Sequence, residues 1–348
     1  MIGCNEIAVT WGIVLGFDPM NIVRCVENTF VNRGDDIIKS TTFDEFYGIW
    51  QEEMFNALRE ADKIGHGFQT RRSLDCNLVS NILIDGCIEN AKSVTQGGTE
   101  TYIAVGLLIG IPNVIDSLAV TKQFVFDEKQ ITMEQLIDAL RNNWNGREDL
   151  REYILKKGMF FGNDDDCSNG VANRFFKSLD NWNTGDDYLK KPLVFGNLVG
   201  YNEHHKFFGN NTKATPDGRF DGDMISFGIG QSEGRDRNGL TALLSSVAKC
   251  DPLSILTGPS VTNVLLDEQL VKKDENFEKL VYLFEAYFKM GGTHFQLTYV
   301  SKEDLINAKK TPDKYKNLRV RVSGFSDYFV FLNEGLQDEI IQRTTHAR

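Results

Sequence analysis

Positive charge is in short supply in this sequence: 38 lysines and arginines stand against 49 acidic residues, leaving a formal charge of -11. No basic stripe or arginine-rich arm gathers that charge onto one surface, so nucleic acid and anionic membranes are poor candidate partners. A membrane-crossing run is also missing. A long uncharged stretch, Tyr102 to Ile115, is too short to span a bilayer and contains Pro112 and Asn113, so it reads as a buried segment. Closely spaced cysteine pairs are absent too. Cys4, Cys25, Cys76, Cys87, Cys167 and Cys250 are scattered, which fits reduced cytosolic thiols better than a disulfide framework or a zinc site. The apolar run Ile7 to Phe17 has the look of a signal-peptide core, but no lysine or arginine precedes it and Glu6 does. It reads as interior structure, and the protein as cytoplasmic.

What is present is material for a large core. The 348 residues are 41% hydrophobic and 25% charged, with no bias toward disorder. Helical and extended patterns alternate, which is the signature of an α/β protein. Thr42 and Glu45 form a capping box ahead of Phe46, Trp50, Met54 and Leu58, and Gly65 is the expected end of that helix. Thr132 and Gln135 repeat the device. Phe277, Leu280, Val281, Phe284 and Phe288 mark a further helix, stopped by Gly291 and Gly292. The period then changes to two, with Phe295, Leu297 and Tyr299 on one side and His294, Gln296 and Thr298 on a polar face. Ser301 to Lys310 is helical in pattern and ends at Thr311-Pro312. Leu318, Val320 and Val322 then alternate along a strand that runs into Gly324. The glycine-rich stretch Gly209 to Gly239 is the one place to divide the chain.

The segment RVRVSGFSDYFVFL, Arg319 to Leu332, with NEGLQDEIIQRTTH, Asn333 to His346, closely resembles the C-terminal signature of glycyl radical enzymes. Further stretches agree with the same family: TPDGR (Thr215 to Arg219), Gly97 to Tyr102 leading into NVIDSLA (Asn113 to Ala119), GNDDD (Gly162 to Asp166) and Gly291 to Gln296. The resemblance makes Gly324 the stored-radical site. An α-carbon radical delocalises into both flanking peptide groups and needs a near-planar centre, which a Cβ would crowd; glycine also has the freedom in φ that a tight loop tip requires. Gly3-Cys4-Asn5-Glu6 matches the family's G-C-x-E element. There Cys4 would carry the thiyl radical that abstracts hydrogen from a substrate carbon, and Glu6 would take a proton.

Several other features have plainer readings. Gly86-Cys87-Ile88-Glu89 repeats the four-letter pattern inside a helix-like stretch, and Cys87 reads as a buried small hydrophobe. Asp164, Asp165 and Asp166 do not fit a calcium loop and read as a solvated turn or helix cap. His204 and His205 read as surface or loop residues. Trp11, Phe17 and Asp18, soon after the candidate cysteine, are in a position to shape a substrate pocket.

The resemblance implies an α/β fold, the second half of a ten-stranded barrel: residues 1–208 form the C-terminal part of a pyruvate formate-lyase-like barrel domain, and residues 209–348 a glycine radical domain. It implies no bound metal or cofactor, a radical on Gly324 installed by a radical-SAM activating enzyme, a small-molecule substrate, and a homo-oligomeric complete enzyme. Asn5 follows Cys4 where pyruvate formate-lyase has a second cysteine. Glu-assisted elimination, of the diol or hydroxyproline dehydration kind, or decarboxylation is therefore expected ahead of acyl transfer. Members of the family are about twice this length. The expectation is that the first half-barrel is absent, leaving either a fragment or one subunit of a split enzyme with a separate N-terminal half-barrel polypeptide. The competing class is a non-catalytic truncated product or spare radical-bearing subunit.

Overall fold

A computed structural model describes residues 8–9, 12–72, 78–99, 101–185, 194–196, 204–226, 228–250, 261–268, 274–322 and 325–346. In chain order the first elements are β1 (Ala8–Val9), β2 (Gly12–Asn21), α1 (Val23–Asn32), α2 (Gly34–Ile38), α3 (Phe43–Arg72), α4 (Leu78–Leu83), β3 (Thr101–Ile109) and α5 (Ile111–Thr121). There follow α6 (Met133–Arg141), α7 (Glu148–Lys157), α8 (Asp166–Gly185), β4 (Val194–Gly196), α9 (His204–Asn210), α10 (Leu240–Lys249) and β5 (Thr262–Leu266). The last are α11 (Asp274–Lys289), β6 (Phe295–Tyr299), α12 (Lys302–Lys310), β7 (Arg319–Arg321), β8 (Ser326–Tyr328), α13 (Glu334–Gln342) and β9 (Thr345–His346).

The architecture is α/β. One sheet runs β1-β2-β3-β4, with β2, β3 and β4 parallel and β1 antiparallel at the edge. A second, wholly parallel sheet has the order β6-β5-β9. β7 and β8 form an antiparallel hairpin. The long uncharged stretch divides into β3 and α5: Gly110 makes the turn between them with φ +90, and Pro112 sits in the first helical turn, where no N–H is required. Every residue of α5 is buried. It packs against α1 and α8 at the centre of the main core.

Both predicted capping boxes are present. Glu45 N–H donates to the Thr42 hydroxyl at 3.3 Å, and at α6 the Thr132 side chain and Gln135 exchange bonds reciprocally. Phe46, Trp50, Met54 and Leu58 are buried as their spacing predicts. Gly65, however, does not end α3, which continues to Arg72. A helix already nucleated and packed over several turns absorbs one interior glycine at a cost of about 1 kcal/mol.

The stripe on α11 is only partly turned inward: Leu280 is buried, whereas Phe277 and Phe288 are half exposed. Phe284 stacks on Phe295 with ring centroids 4.4 Å apart. On β6 the expected alternation is present, and Gln296 and Thr298 are buried while Leu297 and Tyr299 are exposed. The polar face is the interior one. His205 also departs from expectation, because it lies in α9 and is buried, with its carbonyl accepting from Ile225 N–H at 3.3 Å.

Candidate functional site

Two stretches singled out by sequence meet on the face of α5. Asn113 and Asp116 are one turn apart, so both side chains project to the same side. Asn113 accepts from Ser226 N–H at 2.6 Å and donates to Asp217 at 2.8 Å. Asp217 belongs to the Thr215-to-Arg219 turn, where the Thr215 hydroxyl binds it at 2.5 Å. Arg219 is buried and donates to four backbone carbonyls, those of Phe220, Asp223, Thr212 and Lys213. That arginine therefore knits its own loop together.

Asp116, fully buried, accepts from Phe161 N–H at 2.8 Å and from the Ser232 hydroxyl at 2.6 Å. Arg235 lies 3.4 Å from Asp217 and 4.0 Å from Asp116, so one guanidinium faces two buried carboxylates. Burial pushes Asp116 up to about 7, opposed by Arg235, Ser232 and the Phe161 amide and reinforced by Asp217. The acidic run next to this hub behaves as a turn and cap. Asp165 accepts from Ser168 N–H at 2.8 Å at the start of α8, and Asp164 pairs with Lys249 at 2.6 Å. Lys249 and two further side-chain donors, Ser245 and Asn169, hold the Asp164 carboxyl below its ordinary range, against partial burial.

The β7–β8 hairpin is the second part of the site. Arg319, Val320 and Arg321 pair with Tyr328, Asp327 and Ser326, and Val322 N–H donates to the Phe325 carbonyl at 3.0 Å. Val320 and Val322 turn into a small core with Phe329, Leu336 and Ile340, separate from the main one. At the end of α13, Arg343 forks onto Glu339 with Nε and Nη2 both at 2.9 Å. It also donates to the carbonyls of Arg321 (3.1 Å) and Val322 (3.0 Å). The Thr298 hydroxyl, on the inward face of β6, donates to the same Arg321 carbonyl at 3.0 Å. Burial and the nearby Arg321 charge lower His294, the half-buried residue ahead of β6.

Gly324, Cys4 and Glu6 all lie outside the described residues. So do Trp11 and the side chains of Phe17 and Asp18, whose backbones belong to β2. The second G-C-x-E copy follows α4 as a turn, with Gly86 at φ +92 and Glu89 accepting from Gly86 N–H at 3.0 Å. Cys87 is buried beside Ile84 and Val94, as a small hydrophobe. Sequence reading assigned no chemistry to Asn113, Asp116, Asp217, Arg235, Glu339 or Arg343. A signal existed for the last pair: their spacing of four places both charges on one helical face inside the C-terminal signature.

Between the hub and α13 lies a polar cleft of about 240 Å³, lined by Arg151, Arg219, Arg235, Glu233, Glu339 and Gln342 among others. Among the described residues no helix is long and apolar enough to cross a membrane.

Comparisons with known proteins find one family along most of the chain. The pyruvate formate lyase-like family model matches residues 27–185, and the glycine radical model matches residues 225–330. Trans-4-hydroxy-L-proline dehydratase of Clostridioides difficile is 33% identical over 344 residues, 93% of this chain and 42% of that protein. Isethionate sulfite-lyase of Nitratidesulfovibrio vulgaris is 34% identical over 312 residues, 88% of this chain and 37% of that protein. The glycerol-bound B12-independent glycerol dehydratase of Clostridium butyricum superposes with a TM-score of 0.87 at 28% identity, over 97% of this chain and 44% of that one. The chain thus spans about two fifths of the length of the curated relatives it matches.

Proposed function

The chain belongs to the glycyl radical enzyme family, and from that premise we propose that Gly324 stores a backbone radical and Cys4 carries it to a small organic substrate in a dehydratase-type elimination. The observation that supports this most directly is the glycine radical match over residues 225–330, which spans Gly324, together with the clamped hairpin on either side of it. A radical-SAM activating enzyme removes a hydrogen atom from the Gly324 α-carbon. The Gly324 radical then takes hydrogen from the Cys4 thiol. The resulting sulfur radical breaks a substrate C–H bond and re-forms S–H; the leaving group departs from the adjacent carbon as Glu6 handles the proton, and the product radical recovers its hydrogen from Cys4. The relatives named as dehydratases and sulfite-lyases each remove a group from a small substrate, which favours elimination.

The competing acyl-transfer reading needs a second thiol. The nearest described one, Cys25, is fully buried, and burial together with the Glu53 charge pushes it up to about 12. It is packed as a core side chain, which argues against an acyl-accepting role. We further propose that residues 1–208 and 209–348 act as barrel part and glycine radical domain, completing a ten-stranded barrel within a homo-oligomeric enzyme. The other half of that barrel, as a further part of the same protein or as a separate polypeptide, completes the enclosure. The exposed apolar residues around α4, including Ile82 and Leu83, favour this second element of the reading.

The test is anaerobic incubation with an activase followed by electron paramagnetic resonance. A glycine-type doublet is expected, absent in Gly324→Ala. With the complementary half present, Cys4→Ala is expected to keep the doublet and lose turnover. Persistence of the doublet in Gly324→Ala would falsify the assignment.

A further inference from the structure

Glu339 and Arg343 take no part in the hydrogen transfers above, yet they hold the backbone next to the residue that does. Their side chains are only 4% and 3% exposed. The arginine's planar fork is fixed by the carboxylate, and two of its remaining N–H groups donate to the carbonyls of Arg321 and Val322, the last two described residues before Gly324. An exposed i,i+4 pair would contribute little. A buried pair that also satisfies two carbonyls is a different object, because removing either partner strands a charge and frees the hairpin together.

Two further observations point the same way. The hairpin's apolar contacts belong to the small core of Val320, Val322, Phe329 and Leu336, so it can shift without opening the main core around α5. Glu339 also lines the polar cleft with Arg235 and Gln342, so one partner of the pair borders space that water can enter.

We infer that Arg343, oriented by Glu339, is a positioning residue for the hairpin: it fixes the backbone on the amino-terminal side of Gly324, and its release is the step that frees the hairpin for activation. The inference rests on the radical assignment proposed for Gly324. Arginine suits the task where lysine does not, since a single ammonium cannot engage one carboxylate fork and two carbonyls in a fixed plane.

The test that does not depend on the radical is hydrogen–deuterium exchange of the whole chain, followed in peptides covering residues 318–329. Arg343→Gln is expected to exchange there roughly tenfold faster or more, with Arg343→Lys in between, while α5 and α8 keep their protection. Unchanged exchange in both variants overturns the inference. Should Arg343→Gln lose protection in α5 as well, Thr298→Val takes its place. It removes one bond to the Arg321 carbonyl without stranding a charge, and faster exchange confined to the hairpin is again expected, with no change overturning the clamp.

The second measurement is the doublet itself. Arg343→Lys is expected to acquire it faster under limiting activase and to give fewer turnovers per spin with the complementary half present. Equal rates and equal turnovers per spin overturn the inference. If exchange responds as expected but no doublet forms in the unaltered chain, the Gly324 assignment falls while the clamp on the hairpin stands.

Discussion

Asp116 shows how a single buried side chain makes the whole chain sensitive to pH. Its folded-state value of about 7 lies above the ordinary 3.8, so between those limits the native state keeps a proton that the unfolded chain has lost. The group's contribution to stability is full below about pH 4 and declines by up to about 1.4 kcal/mol per pH unit until about pH 7, where it is gone. Asp116→Asn keeps an acceptor for the Phe161 amide and a partner for Ser232. It is expected to flatten the urea-unfolding midpoint across that window. A variant that retains the wild-type slope would remove Asp116 as the source. The neighbouring Asp217 belongs to the same hub but differs in company, with Thr215, Asn113 and Arg235 all directed at it.

Among the elements, the β3–α5 turn leaves the least room for change. Gly110 has φ +90, and a Cβ built there would stand 2.3 Å from Val23 Cγ2. Gly110→Ala combines left-handed strain with a steric clash and is expected to cost about 3 kcal/mol, read as a lower denaturation midpoint at unchanged slope. Elements governed by neighbours in sequence were legible from the chain alone. The Thr132 capping box, the Ser301 cap of α12 and the stop after α11 each depend on a few adjacent residues. Elements governed by distant partners were not. Gln296 and Thr298 read as a polar face, and alternation gives two sides but not which one is covered. The hairpin carbonyl that Thr298 binds lies 23 residues away. His205 reads as a surface or loop residue for the same reason: its burial is set by packing that no local pattern encodes. The family stretches around Asn113 and Asp217 are legible as strings, but their meeting on α5 is a property of the fold.

At the scale of the whole molecule, the described residues present apolar surface of the kind that a packing partner covers. Leu78, Val79, Ile82, Leu83 and Ile88 are each about two thirds exposed around α4, and Phe277, Tyr282 and Phe288 are exposed on α11. The chain alone is therefore expected to self-associate in sedimentation velocity. Ile82→Ser with Leu83→Ser is expected to reduce that association while moving the unfolding free energy by less than about 0.5 kcal/mol. A monomer at every concentration without these changes would contradict the expected association. At the other end of the chain, β9 lies beside β5, and Thr344 and His346 both contact Asp236, with His346 at 3.0 Å. Because a ribosome delivers residues in order, the hairpin emerges before the segment that secures it. The nascent protein therefore passes through a stage in which most of the fold is made and the hairpin still lacks the Arg343 bonds to the Arg321 and Val322 carbonyls.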